Sequence, residues 1–148
     1  MELTLHRERV VPAPPERVFT VLVTPDELAK WWGPKGFTSP SIDLDPRAGG
    51  NYRIAMRPPE GDVFHLSGEF LAVDPPGLLS YTFRWEEPTP DDRETVVTLT
   101  LLEAEDGSTN VVLDHGVFAT EERLALHTQG WTDSLERLYE LVASARTV

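Results

Sequence analysis

The chain has 148 residues, 40% of them hydrophobic and 26% charged, with no cysteine. That is enough for one domain with a real core, and it removes disulfides, thiolate metal sites and thiol nucleophiles. Thirteen basic residues against 25 acidic ones leave a net charge of −12, which repels a phosphate backbone and argues against a nucleic-acid partner. No apolar run approaches the ~20 residues of a membrane span, and the opening MELTLHRERV lacks a basic segment followed by an apolar one. A single domain over residues 1–148, cytoplasmic and without a membrane partner, is the expectation.

The first strand is expected from Leu3 to Val11, ended by Pro12. A first helix opens at Pro14-Pro15, since the leading amides of a helix lack partners in any case, and it sets Val18, Phe19 and Leu22 on one face. A second follows at once: Thr24 stands at a cap position, Pro25 takes the first helical place and Glu27 has capping-box spacing. Leu28, Trp31 and Trp32 share a side of it, and Gly33-Pro34 stops it. Both helices are too short to be stable alone, so each needs a surface to lean on.

From Ser41 to Phe118 the apolar period is two. Tyr52, Ile54 and Met56 form one inward row, Phe64, Leu66, Phe70 and Ala72 a second, and Tyr81, Phe83 and Trp85 a third. Val97, Leu99 and Leu101, then Val111, Leu113, His115 and Val117, complete the set. Turn residues separate these rows at Gly49-Gly50-Asn51, at 58–62, at Asp74-Pro75-Pro76-Gly77, at 88–92 and at Asp106-Gly107-Ser108. Connections this short make neighbouring strands antiparallel, and a sheet apolar on one face needs a cover. The cover is a long C-terminal helix capped by Thr120, with Leu124, Thr128, Trp131, Leu135, Leu138 and Val142 in one stripe and Arg137 and Arg146 toward its end. The fold class is therefore α+β, two short helices after the first strand and a curved antiparallel sheet around one long helix.

Eight segments occur in a telling order: RERVVPAPPERVF, WWGPKGF, the Asp45–Arg53 pattern D-x-R-x-G-G-x-Y-R, SGEFLAVDPP, LSYTFRW, VTLTL, DHGVF and GWTDSLERL. With them, over about residues 6–143, the chain resembles the activator of heat shock protein 90 ATPase (C-terminal domain) family of the START-like, polyketide-cyclase-like superfamily. The resemblance implies a helix-grip fold, with a cavity between sheet and helix that takes apolar or aromatic molecules. Some members of that superfamily are cyclases or aromatases, and others sequester antibiotics or lipids. The eukaryotic activator that names the family carries a further N-terminal domain, so its chaperone role is not expected here. A fold does not itself assign chemistry.

Within that frame Tyr52, Met56, Phe64, Tyr81, Phe83 and Trp85 are expected to face Trp131, with Trp31, Trp32 and Phe37 at one mouth. Aromatic side chains offer large contact area at low entropic cost, which suits a small apolar ligand as readily as a filled core. His115, inward between Leu113 and Val117, is the one weak catalytic candidate: a base of a cyclase or hydrolase, a ligand contact, or a neutral core histidine. His127, four residues before Trp131, faces the same side and is a cavity or rim residue. No metal site is expected, because the four histidines are scattered and no His-Glu-x-x-His occurs. No cofactor is expected either, since Gly49-Gly50 precedes a strand rather than a helix. Gly130 costs a helix interior about 1 kcal/mol relative to Ala, which suggests a close approach to the sheet or to a second subunit. The reading is a ligand-binding module. Catalysis through His115 and a protein-interaction role, including a homodimer, are the alternatives.

Overall fold

The computed structural model describes residues 2–87 and 92–145. The elements run β1 (Leu5–Val11), α1 (Pro15–Val23), α2 (Pro25–Trp31), β2 (Thr38–Leu44), β3 (Asn51–Arg57), β4 (Phe64–Asp74), β5 (Leu78–Trp85), β6 (Thr95–Glu103), β7 (Thr109–Gly116) and α3 (Glu121–Ala145). Seven strands form one sheet in the order β1-β7-β6-β5-β4-β3-β2, each neighbouring pair antiparallel. β2 to β7 thus meander, and β1 closes the far edge against β7. Register shifts between Thr38 and Ser41 and between Phe70 and Ala72 mark bulges, which bend strands and help a sheet curl. α3, 25 residues long, covers the apolar face. This is the helix-grip arrangement expected from the sequence.

The inward rows are buried as their period requires: Ile54, Leu66, Val97, Leu99, Val111, Leu113 and Leu138 are all within the core. Three local expectations change. β1 starts at Leu5 rather than Leu3, and the carbonyl of Leu3 instead accepts the Phe118 amide at 2.9 Å. β7 stops at Gly116, so Phe118 is buried and Val117 is only half-buried. The capping box of α2 does not form. The Thr24 hydroxyl turns back to donate to the Thr20 carbonyl at 2.6 Å, leaving α2 with no side-chain cap, a local bond that competes with capping. The strand Thr38–Leu44 carries Pro40, which hid it from the alternation. The expected turn at 88–91 and Arg146 lie outside the described residues.

The cap of α3 does form: the Arg123 amide donates to Thr120 Oγ1 at 3.1 Å, with Glu121 and Glu122 in the first turn. The far part of α3 is tied to α2. Arg137 Nη1 donates to the carbonyls of Trp32 at 2.8 Å and Gly33 at 3.1 Å, and Nη2 to that of Lys30 at 3.1 Å. One guanidinium thereby satisfies the last carbonyls of a helix that has no room to satisfy them itself. Ser134 adds a reciprocal pair, accepting from the Gly33 amide at 3.0 Å and donating to the Gly33 carbonyl at 3.2 Å. Trp32 is therefore held against α3.

Candidate functional site

Between α3, the exit of α2 and the open half of the sheet lies a cavity of about 320 Å³. Trp32, Phe37, Met56, Phe64, Phe83, Trp85 and Trp131, all among the sequence positions singled out above, line it. On α3 the lining continues through Arg123, Leu126, His127, Gly130 and Ser134. These are two neighbouring rows at a spacing of four, one through 123, 127 and 131, the other through 126, 130 and 134. Trp131 and His127 alone were legible; the adjacent row follows from helical geometry once they are placed. Leu126, 56% exposed, stands at the mouth.

Trp31, Tyr52 and Tyr81 are not on this wall. They surround a separate space of only about 20 Å³ behind Trp32, too small for anything beyond a single water. Trp31 Nε1 donates to the Val21 carbonyl at 3.2 Å, and the Tyr52 hydroxyl to the Thr82 carbonyl at 2.6 Å. Burial pushes both tyrosine hydroxyls well above their usual range. These three side chains pack the core rather than the cavity.

His115 also lies behind the wall. It is 1% exposed, Trp131 Nε1 donates to its Nδ1 at 3.0 Å, and Nε2 sits 2.7 Å from Thr95 Oγ1. An indole N–H only donates, so Nδ1 is unprotonated and the ring is the neutral Nε2–H tautomer, donating to Thr95. Burial, with His127 beside it, holds the pKa down at about 3. The only lone pair on the ring is already engaged, and none faces the cavity. Of the three readings open at His115, this geometry matches the neutral core histidine.

His127 repeats the arrangement on the wall itself. Trp85 Nε1 donates to its Nε2 at 3.1 Å, which fixes the proton on Nδ1, and Nδ1 donates to the Arg123 carbonyl at 2.7 Å. Burial lowers its pKa. Phe118, which the alternation missed, stacks against both rings, 4.7 Å from His115 and 4.8 Å from His127 between centroids.

At the far end of the cavity Arg123 Nη2 meets Asp92 Oδ1 at 2.7 Å, a pair whose partners are 31 positions apart in sequence and carried no sequence signal. Glu87 joins them on the lining, bonded to the His65 amide at 2.8 Å. Gly130 is not a close-approach glycine. A Cβ there would meet Pro34 Cγ at 3.6 Å, ordinary contact, so a close approach to the sheet does not explain it; the residue lies on the cavity lining. Among the described residues no group of three or more His, Asp and Glu side chains is placed to hold a metal ion. No helix among them is long and apolar enough to cross a membrane.

Comparison with known sequences matches residues 12–143 to the family described as Activator of Hsp90 ATPase homolog 1-like protein. The chain belongs to that family. Solved structures superpose over nearly the whole molecule. The crystal structure described as the AHSA1 protein from Silicibacter pomeroyi is 31% identical with a TM-score of 0.83, covering 96% of this chain and 99% of that one. A crystal structure from Chromobacterium violaceum is 28% identical with a TM-score of 0.79, covering 94% and 96%. Another, from Nitrosomonas europaea, is 25% identical with a TM-score of 0.81, covering 98% and 97%. No curated protein matches the chain.

Proposed function

We propose that this protein binds a small apolar, aromatic molecule in the cavity between its sheet and α3, without chemistry performed by its own side chains. The observation that carries the reading is that ring-lined cavity of about 320 Å³ with a mouth at Leu126. It is about twice the size of the ~150 Å³ apolar cavity that accepts benzene, and it falls at the lower end of the ~300–1,000 Å³ range of ligand pockets. The dimensions suit a bicyclic molecule or one ring with a short substituent. Affinity comes from burying apolar surface, at about 25 cal/mol per Å². Ser134 and His127 have their hydrogen bonds made inside the protein, which leaves the wall rigid and mostly unreactive.

The test is equilibrium dialysis with 2-ethylnaphthalene on the intact chain and on Gly130→Leu. The helix tolerates leucine better than glycine, so the variant folds, while its side chain fills the mouth beside Pro34. Saturable binding to the natural sequence, weakened at least tenfold in the variant, is the expected result. Equal uptake by both would place any binding elsewhere and remove the proposal.

A further inference from the structure

Among the described residues the cavity lining holds three charged side chains, Glu87, Asp92 and Arg123. Two of them offset each other: Arg123 Nη2 lies 2.7 Å from Asp92 Oδ1, with side chains only 20% and 8% exposed. Glu87 is left over. Its partner is a histidine rather than a lysine or arginine: the His65 amide donates to Oε1 at 2.8 Å, and His65 Nδ1 lies 3.1 Å from Oε2. The bond to the His65 ring, and then that to its amide, hold the carboxyl below the usual carboxylate range, so it is ionised at neutral pH. The two bonds take about half of what a carboxylate can accept. The Glu87 side chain is 53% exposed, so a group arriving from water can reach it.

Position adds to the sign. Glu87 follows Trp85 by two residues, and its partner His65 directly follows Phe64. The carboxylate therefore stands at one end of a row of three half-buried rings that line the cavity, Phe37, Phe64 and Trp85. Successive centroids in that row are 6.2 and 5.3 Å apart. Ring faces are negative and attract a cation, and a chain of net charge −12 does the same at longer range. We infer that the ligand is an aromatic amine: one or two rings fill the cavity, and an ammonium on a short side chain pairs with Glu87 at the water-exposed margin of the lining. This rests on the binding reading above and adds a polar group to it. The ammonium keeps part of its hydration at that margin, so no charge has to enter the apolar interior.

Three probes of similar size separate the charge classes: 2-(2-naphthyl)ethylammonium, 2-(2-naphthyl)ethanol and 2-naphthylacetate. They are measured by equilibrium dialysis at pH 8, above the ordinary imidazole range, on the natural sequence and on Glu87→Gln, the variant first shown to melt cooperatively. The ammonium binds the natural sequence roughly three- to fivefold more tightly than the alcohol, the upper part of the range for a solvent-exposed ion pair, and the acetate binds most weakly. In Glu87→Gln the ratio of ammonium to alcohol falls below about twofold. In 1 M NaCl the ratio for the natural sequence shrinks as well, because salt screens an exposed pair. Equal affinities of ammonium and alcohol, or a ratio unmoved by Glu87→Gln or by salt, overturn the amine assignment and leave the cavity reading standing. An acetate that outbinds the ammonium overturns the assignment too. Failure of all three probes to bind overturns the cavity reading and this inference with it.

Discussion

An indole N–H donates and has nothing to accept with, so a tryptophan placed against an imidazole decides where that imidazole carries its proton. Trp131 does this to His115 and Trp85 to His127, at 3.0 and 3.1 Å, and the two histidines end in opposite tautomers. Charging either ring would aim a new N–H at an indole N–H and forfeit the bond. His115 faces His127 at 5.6 Å between centroids, with Arg123 and Asp92 on the far side of His127. The consequence is a pH dependence with a definite sign. A histidine whose folded pKa is depressed binds fewer protons folded than unfolded, so its contribution is intact above the unfolded value of about 6.5. It is lost as pH falls from there toward about 3 for His115. Each such ring imposes a slope of up to about 1.4 kcal/mol per pH unit. In urea unfolding series between pH 6 and 4, the stability advantage of the natural sequence over His115→Gln is expected to shrink at about that slope. Parallel curves would mean that His115 titrates normally.

At the scale of elements, the strands were readable because their alternation is a local property. Where a strand glycine interrupts an inward row, the reason is tertiary. Gly68 of β4 lies directly opposite Tyr52 of β3, and a Cβ on it would come within 2.0 Å of the Thr82 carbonyl oxygen and 2.7 Å of the Tyr52 ring. The same Thr82 carbonyl receives the Tyr52 hydroxyl. The tyrosine ring thus fills the space left by the missing side chain and bonds across it to β5. Gly68→Ala is expected to cost roughly 1–3 kcal/mol in denaturant unfolding, the usual penalty for forcing extra atoms into a packed site. A change below about 0.5 kcal/mol would mean that the strand moves aside freely. The capping residues show the opposite limit. Thr120 caps α3 and Thr24 does not cap α2, although both stand before acidic first turns. Thr24 is at once the end of α1 and the start of α2, and its hydroxyl, turned back to donate to the Thr20 carbonyl, accepts from no amide of α2.

For the molecule as a whole, the sheet wraps α3 closely on one side and stands away from it on the other. The β1 side is tied down by Arg9, which reaches Glu136 at 3.1 Å and lies 4.2 Å over the Tyr139 ring. On the other side, between Trp32 and Arg123, the apolar faces do not meet, and the cavity is the gap. A ligand that enters this gap binds the folded state alone, and mass action then raises its stability by ~2.7 kcal/mol at a hundredfold excess over Kd. For a chain of this length that amounts to roughly 5–10 °C in Tm. Thermal melts with graded 2-ethylnaphthalene are expected to rise with concentration through that range. A Tm that stays flat at saturating probe would contradict binding to the native state.

The sequence by itself determined the class of structure: the two-residue period, the turn residues between the rows and the long stripe from Leu124 to Val142 specify an antiparallel sheet under one helix. It also marked most of the rings that line the cavity, because inward phase is set by neighbours two or four positions away. Which of those rings enclose a space and which merely fill the core was decided by tertiary structure. Trp31, Tyr52, Tyr81 and His115 share the phase of Trp32, Phe83 and Trp85, yet they lie behind the wall. The separation depends on how far α3 stands from each strand, a distance that bulges, helix ties and the Arg123–Asp92 pair set through contacts far apart along the chain. Periodicity reports which way a side chain points, and only packing decides what it meets there.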